Sequence, residues 1–128
     1  MKLLVDTHVF LWFILDDPRI APTARPLLVS SEHERFVSLA SVWEAAIKHG
    51  LGKLQLTGGL PGFLRDIEKA NFEILDITPR HILELATLPL HHRDPFDRML
   101  IAQAKHEGMH LLTVDPHFGA YDVQLIKV

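Results

Sequence analysis

The stretch "DPFDRMLIAQAKHEGMHLLTV", residues 94–114, combines an amphipathic helix with an apolar strand. Asp94 followed by Pro95 is typical of a helix start, and Gly108 is typical of a helix end. The apolar residues between them recur at helical spacing: Phe96, Met99, Leu100, Ala102 and Ala104. A helix that leads through a short loop into a buried strand predicts one αβ unit of a parallel sheet.

The same alternation of strand and helix extends over the whole chain. The predicted strands lie at residues 2–6, 35–39, 71–77, 110–114 and 123–128. The predicted helices lie at residues 21–31, 41–49, 60–70, 79–87 and 95–107, with a further short helix in "HVFLWFIL". This pattern predicts an α/β fold with a five-stranded parallel sheet flanked by helices.

Composition restricts the class of protein. The 128 residues, 48% of them hydrophobic, suffice for one domain over residues 1–128 with one proper core. The absence of cysteine excludes disulfides and zinc–thiolate sites, so any metal must be bound by oxygen or imidazole. A net charge of −3 argues against non-specific coating of nucleic acid. No apolar run is long enough to cross a bilayer, and Asp6 interrupts the first one, so we expect a cytoplasmic protein without a membrane partner.

Several carboxylates have a purely local explanation. Asp94 is a natural N-cap, and Asp97 can bond back to the cap and favour the helix dipole. Ser41 and Glu44 form the pattern of a capping box at the start of helix 41–49. Taken one at a time, these acids need no chemical function.

Their positions along the sheet favour a different interpretation. In a parallel sheet, ligands bind beyond the carboxyl ends of the strands. The acids expected at this edge are Asp6, Glu44, Asp94, Asp97 and Asp115. Close carboxylates repel by up to about 4 kcal/mol per pair at an effective dielectric constant of 20. A bound Mg²⁺ or Mn²⁺ would relieve this repulsion and would suit phosphodiester hydrolysis, because the metal activates water and stabilises the leaving oxygen.

As an ordered series, the motifs resemble those of PIN-domain ribonucleases, in particular the VapC-type toxins of toxin–antitoxin pairs. They are "LLVDTHVFLW" (3–12), "SLASVWEAAIKHGLGKLQL" (38–56), "HHRDPFDRMLIAQA" (91–104) and "LLTVDPHFGAYDV" (111–123). The resemblance implies a three-layer PIN-like fold and a Mg²⁺- or Mn²⁺-dependent endoribonuclease. It also implies RNA as the substrate and a cognate antitoxin as a partner, and we expect a homodimer.

Residue roles follow from the resemblance position by position. The metal-ligand and catalytic acids that it implies are Asp6, Glu44, Asp97 and Asp115. Asp94 resembles an additional acid of one subgroup and is interpreted mainly as the helix cap, while Thr113 resembles a hydroxyl that orients Asp115 or a metal-bound water.

Several other residues are candidates for contacts with RNA, metal or a partner protein. Lys48, Arg93 and Arg98 are candidate contacts to the RNA backbone. The pair His91-His92 either binds phosphate or metal, or belongs to a solvated loop. The segment from Phe10 to Ile14 and the helix near 41–49 are candidates for the surface that a partner covers.

Two rival functions share an acidic edge. A phosphatase of the haloacid-dehalogenase type needs a second aspartate two residues after the first, but this position is His8. A non-catalytic, receiver-like signalling module with a Mg²⁺ pocket needs a phospho-accepting aspartate after the third strand, for which Asp76 is a poor candidate. The receiver-like module remains the alternative.

Overall fold

A computed structural model describes all 128 residues and confirms the α/β fold. Five parallel strands form one sheet in the order β3-β2-β1-β4-β5. The strands are β1 (Lys2–Val5), β2 (Glu34–Ser38), β3 (Glu73–Leu75), β4 (His110–Thr113) and β5 (Leu125–Lys127). The two edge strands, β3 and β5, are shorter than predicted.

Six helices connect and cover the strands. They are α1 (Thr7–Ile14), α2 (Arg25–Val29), α3 (Leu39–Gly50), α4 (Gly59–Lys69), α5 (Pro79–Thr87) and α6 (Pro95–Glu107). A short 3₁₀ helix, Pro116–Ala120, follows β4. Helix α6 has the predicted bounds and ends at Gly108, whose φ of 66° is left-handed. The helix predicted at 21–31 is reduced to the five residues of α2, since Pro26 has no amide N–H and fits only in the first turn of a helix.

Two apolar clusters fill the space on either side of the sheet. Phe10 and Phe63 stack in the first, with ring centroids 5.7 Å apart. Leu100 and Ile101 of α6 pack in the second with Phe118. Phe10 is fully buried, so the prediction that it belongs to a partner surface is wrong for this residue.

None of the helices combines the length and apolar composition that a membrane span requires.

Candidate metal centre

The first acid of the site follows β1 directly. Asp6 is the N-cap of α1, and its carboxylate accepts a hydrogen bond from the His8 amide at 3.4 Å. The Thr113 hydroxyl donates to Asp6 Oδ2 at 2.8 Å and accepts from the Asp115 amide at 3.0 Å. Thr113 thus orients the Asp6 carboxylate and contacts only the main chain of Asp115. Burial raises the pKa of Asp6, an effect that the hydrogen bond from Thr113 opposes and the nearby Glu44 charge reinforces.

Glu44 reaches the same region from α3. The helix begins after Ser38, whose hydroxyl accepts from the Ala40 amide, so Glu44 lies in the second turn. The predicted capping box of Ser41 and Glu44 is therefore wrong. Glu44 instead accepts from the Thr7 hydroxyl at 2.8 Å and from the Lys48 ammonium at 2.5 Å.

The two aspartates at the start of α6 have different environments. The Asp94 carboxylate accepts hydrogen bonds from the amides of Phe96 at 2.9 Å and Asp97 at 3.0 Å, which confirms it as the N-cap. Asp97 does not cap the helix; its Oδ2 lies 2.8 Å from Nε2 of His92. Burial raises the pKa of Asp97 to about 7 against the effect of the His92 hydrogen bond, and the charges of Asp94, Asp6 and Glu44 add to the rise.

Asp115 and two histidines complete the arrangement. Asp115 Oδ1 accepts from the His117 amide at 2.9 Å and lies 2.8 Å from His117 Nδ1. Although burial works to raise the pKa of Asp115, these hydrogen bonds prevail and hold it below its usual range. The His117 ring stacks on His92 with centroids 4.9 Å apart and an angle of 6° between the planes. Ligand atoms of His92, Asp97 and Asp115 all lie within 4.8 Å of one another.

These side chains line one open cleft of about 470 Å³ at the carboxyl edge of the sheet. Its polar lining consists of five acids, three histidines and one lysine: Asp6, Glu44, Asp94, Asp97, Asp115, His8, His92, His117 and Lys48. No arginine lies among them to neutralise the acids. A set of carboxylate oxygens with too little positive charge fits a hard divalent cation such as Mg²⁺ or Mn²⁺.

The predicted RNA contacts separate into two groups. Lys48 lies in the cleft, while Arg93 is exposed outside its lining. Arg98 does not line the cleft, because its guanidinium donates to the Pro89 carbonyl at 2.9 Å and to the Tyr121 hydroxyl at 3.1 Å.

The PIN-domain family model matches residues 3–124, nearly the whole chain. The chain belongs to the PIN-domain family. The match confirms the family resemblance.

Solved structures of similar fold include toxin–antitoxin complexes. VapBC2 from Rickettsia felis, bound to a promoter DNA fragment, has a TM-score of 0.75 at 18% identity, covering 99% of this chain and 98% of that one. VapBC-1 from nontypeable Haemophilus influenzae has a TM-score of 0.70 at 18% identity, with the same coverage. VapBC-5 from Mycobacterium tuberculosis has a TM-score of 0.63 at 21% identity, again covering 99% and 98%. At these identities the likeness shows the PIN fold alone. No curated protein matches the sequence.

Sequence reasoning missed several residues of the PIN-domain cleft. The sequence motifs do not single out His117, and they leave two interpretations for His92, a ligand or a residue of a solvated loop. Thr7 was also missed, although it donates to Glu44 and lies directly after Asp6. The "HH" pair before "RDPFDR" was the available signal for His92, but which of the two rings faces the acids depends on the loop and not on the spacing.

Proposed function

We propose that the protein is a metal-dependent endoribonuclease and the toxin of a toxin–antitoxin pair. The observation that carries the proposal is the convergence of five carboxylates on one open cleft with Lys48 as the only lysine or arginine in its lining. Nuclease activity is what membership of the PIN-domain family leads us to expect. Carboxylates at such a spacing repel unless a cation binds among them.

Asp6, Asp97 and Asp115 would hold Mg²⁺ or Mn²⁺, with Glu44 completing the proposed set. When bound, the cation would activate water and stabilise charge on the phosphodiester. Thr113 fixes the orientation of Asp6 through its hydroxyl. Glu44 has a second task, because its carboxylate presents the Lys48 ammonium to the cleft.

RNA is the proposed substrate, and its backbone would be contacted by positive charges at the cleft. Lys48 is partly exposed within the cleft, and Arg93 is exposed on the loop beside it. Arg98 is left out of this proposal, since its contacts hold the chain around Tyr121 together. The cleft is open to solvent, so an extended single strand can enter it without unfolding of the protein.

The decisive experiment is cleavage of a labelled RNA of mixed sequence by the purified chain in Mg²⁺, in Mn²⁺ and in excess EDTA. We expect cleavage with either metal and none in EDTA. Asp6→Asn should abolish cleavage, while Asp122→Asn should cleave like the wild type, since Asp122 is exposed and lies outside the cleft. Cleavage in EDTA would refute the metal mechanism, and a single-stranded DNA of the same sequence tests the preference for RNA.

A cognate antitoxin is the proposed partner. Support comes from a groove of about 250 Å³ between α1 and α4, lined by Leu11, Ile14, Leu15, Leu56 and Phe63. An apolar groove of this kind accepts an amphipathic helix. Some of the structural neighbours are toxin–antitoxin complexes. Expression of the chain alone should slow growth, and co-expression of the product of the adjacent small gene should restore it; unimpaired growth with active protein would contradict the toxin assignment.

A homodimer in the cytoplasm is also part of the proposal. Ile82 and Leu83 remain exposed on α5 and offer an apolar surface for a second copy. Light scattering after size-exclusion chromatography should give twice the chain mass, and Leu83→Lys should reduce it to one chain. A wild-type chain that elutes as a monomer at all concentrations would refute the dimer.

The receiver-like alternative is less well supported. Asp76, its candidate phospho-acceptor, is exposed and does not line the cleft.

A further inference from the structure

His92 occupies a position in the cleft that differs from that of an ordinary loop histidine. Its side chain is 18% exposed, and its Nε2 lies 2.8 Å from Asp97 Oδ2. Asp97 and Asp115 are two of the four acids proposed to hold the cation, and a ring nitrogen of His92 lies within 4.8 Å of a carboxylate oxygen of each. The imidazole therefore belongs to the cleft itself and not to its solvent rim.

The spacing of these atoms is that of ligands around one ion. Ligand atoms bound at about 2.1 Å in an octahedron lie about 3 Å apart when adjacent and about 4.2 Å apart when opposite. The separation of 2.8 Å between His92 and Asp97 is close to the adjacent value. The ligand atoms of His92, Asp97 and Asp115 lie within 4.8 Å of one another, so only small side-chain movements would bring all three to bonding distance of one ion.

The main chain of His92 is fixed independently of the acids. The Tyr121 hydroxyl oxygen accepts hydrogen bonds from the amides of His91 at 3.0 Å and His92 at 2.9 Å. Arg98 donates to the same oxygen at 3.1 Å and also to the Pro89 carbonyl, so it connects both ends of the loop. On its open side the His92 ring is covered by His117. Such support reduces the entropy that His92 would lose on binding a ligand.

We infer that His92 supplies an imidazole ligand to the cation held by Asp97 and Asp115, which makes the centre selective for first-row transition ions over Mg²⁺. The inference rests on the proposed function and specifies its metal. Imidazole nitrogen is a good ligand for transition ions, with affinity rising from Mn²⁺ through Fe²⁺ to Co²⁺. Mg²⁺ is bound by oxygen and retains much of its water, so it gains little from a nitrogen ligand.

The test measures binding of Mg²⁺, Mn²⁺ and Co²⁺ to the full chain by calorimetry, without RNA. His92→Ala should raise the dissociation constant for Co²⁺ by about tenfold or more, that for Mn²⁺ by about three- to tenfold, and that for Mg²⁺ by less than about threefold. In pulsed electron paramagnetic resonance of bound Mn²⁺, the wild type should show a directly coordinated nitrogen that His92→Ala lacks. The matched control is His91→Ala. It removes the imidazole of the neighbouring residue, which does not line the cleft, and should change none of these results.

A second variant separates a ligand from a residue that only positions Asp97. His92→Gln can still donate a hydrogen bond to Asp97 but offers no imidazole. If His92 is a ligand, His92→Gln should lose Co²⁺ affinity like His92→Ala. If His92→Gln binds all three ions like the wild type, or if the three affinities fall equally in His92→Ala, the inference is overturned while the proposed function stands. If the wild type binds none of the ions, both are overturned. Thermal melts of each variant identify any that is unfolded, and His92→Gln then provides the test.

Discussion

Two clusters of buried polar side chains lie in this protein, and they differ in whether their charges are balanced. In the first, between β2, α5 and α6, Gln103 bonds to Ser38 at 2.5 Å and to the Asp76 carbonyl at 3.3 Å. His81 accepts from the Thr78 amide at 3.1 Å and lies 2.9 Å from Glu107. In the second, the cleft, carboxylates face one another, and the pKa values of Asp6 and Asp97 are raised.

The difference indicates which cluster serves the fold and which serves chemistry. Gln103 and His81 are fully buried with their polar atoms bonded, and such a network gives a core a unique arrangement. Asp6 is nearly as buried, at 4% exposure, but it lies beside other acids. Perturbed, uncompensated acids in a cleft are typical of functional sites. The same contrast exists within the cleft, between the capping residue Asp94 and Asp97.

The largest expected effect separates these two aspartates. Asp97→Asn should lower RNA cleavage by about 100-fold or more, since it removes a proposed metal ligand. Asp94→Asn should lower it by less than about tenfold, because asparagine caps a helix as well as aspartate does. Initial rates at saturating Mg²⁺ measure both. An equal loss in the two variants would show that Asp94 also acts in catalysis and would remove the contrast.

The second-largest expected effect concerns the hydrogen-bond network around Gln103. Gln103→Leu leaves the Ser38 hydroxyl and the Asp76 carbonyl without their partner, so the free energy of unfolding should fall by about 2–3 kcal/mol. Urea denaturation measures this change. The control is Gln124→Leu, whose side chain is exposed and should matter by less than about 0.5 kcal/mol. A change at Gln103 as small as that at Gln124 would mean that the network does not stabilise the fold.

The bounds of some helices could be predicted because the signals that start and end a helix act between residues close in the sequence. The bounds of α6 followed from Asp94-Pro95 at its start and Gly108 at its end, and both act within one turn of the helix. Helix α3 is predicted to begin at residue 41 but begins at Leu39, because Ser38 is its N-cap. The Ser38 hydroxyl also bonds to Gln103, which is distant in the sequence. Such long-range contacts leave no periodic signal.

The site was predictable to the extent that it lies on the sheet edge. Asp6 and Asp115 follow β1 and β4, adjacent strands, so topology alone brings them together. The position of His92 depends on the bonds between Tyr121 and the loop before α6, which join residues 29 and 30 positions apart. Arg98 likewise bonds to the Pro89 carbonyl and the Tyr121 hydroxyl. Its sequence neighbours do not reveal these contacts, so the prediction that Arg98 contacts RNA could not take them into account.

A smaller effect sharpens the contrast through stability. In EDTA at pH 8, the free energy of unfolding of Asp97→Asn should be about 1 kcal/mol higher than that of the wild type, because the substitution relieves part of the repulsion between carboxylates in the cleft. In millimolar Mg²⁺ the difference should shrink or reverse, because only the intact site gains binding free energy. Thermal melts of both proteins in each buffer measure the difference. A lower melting temperature for Asp97→Asn in EDTA, with equal shifts in Mg²⁺, would contradict the metal site.

The smallest effect is the pH dependence of that difference. The pKa of Asp97 is about 7 in the folded protein and 3.8 in the absence of the fold, so between these values only the folded state retains the proton. This group therefore stabilises the metal-free wild type most at low pH, and its contribution is lost as pH rises from about 4 to 7. Asp97→Asn has no such group, and comparing the two proteins cancels the titrations of groups that do not interact with Asp97. In EDTA, the advantage of Asp97→Asn should thus be about half or less at pH 5 of what it is at pH 8. A constant difference from pH 5 to 8 would mean that Asp97 ionises normally, and the cleft would then lack the uncompensated charge that distinguishes it from the network around Gln103.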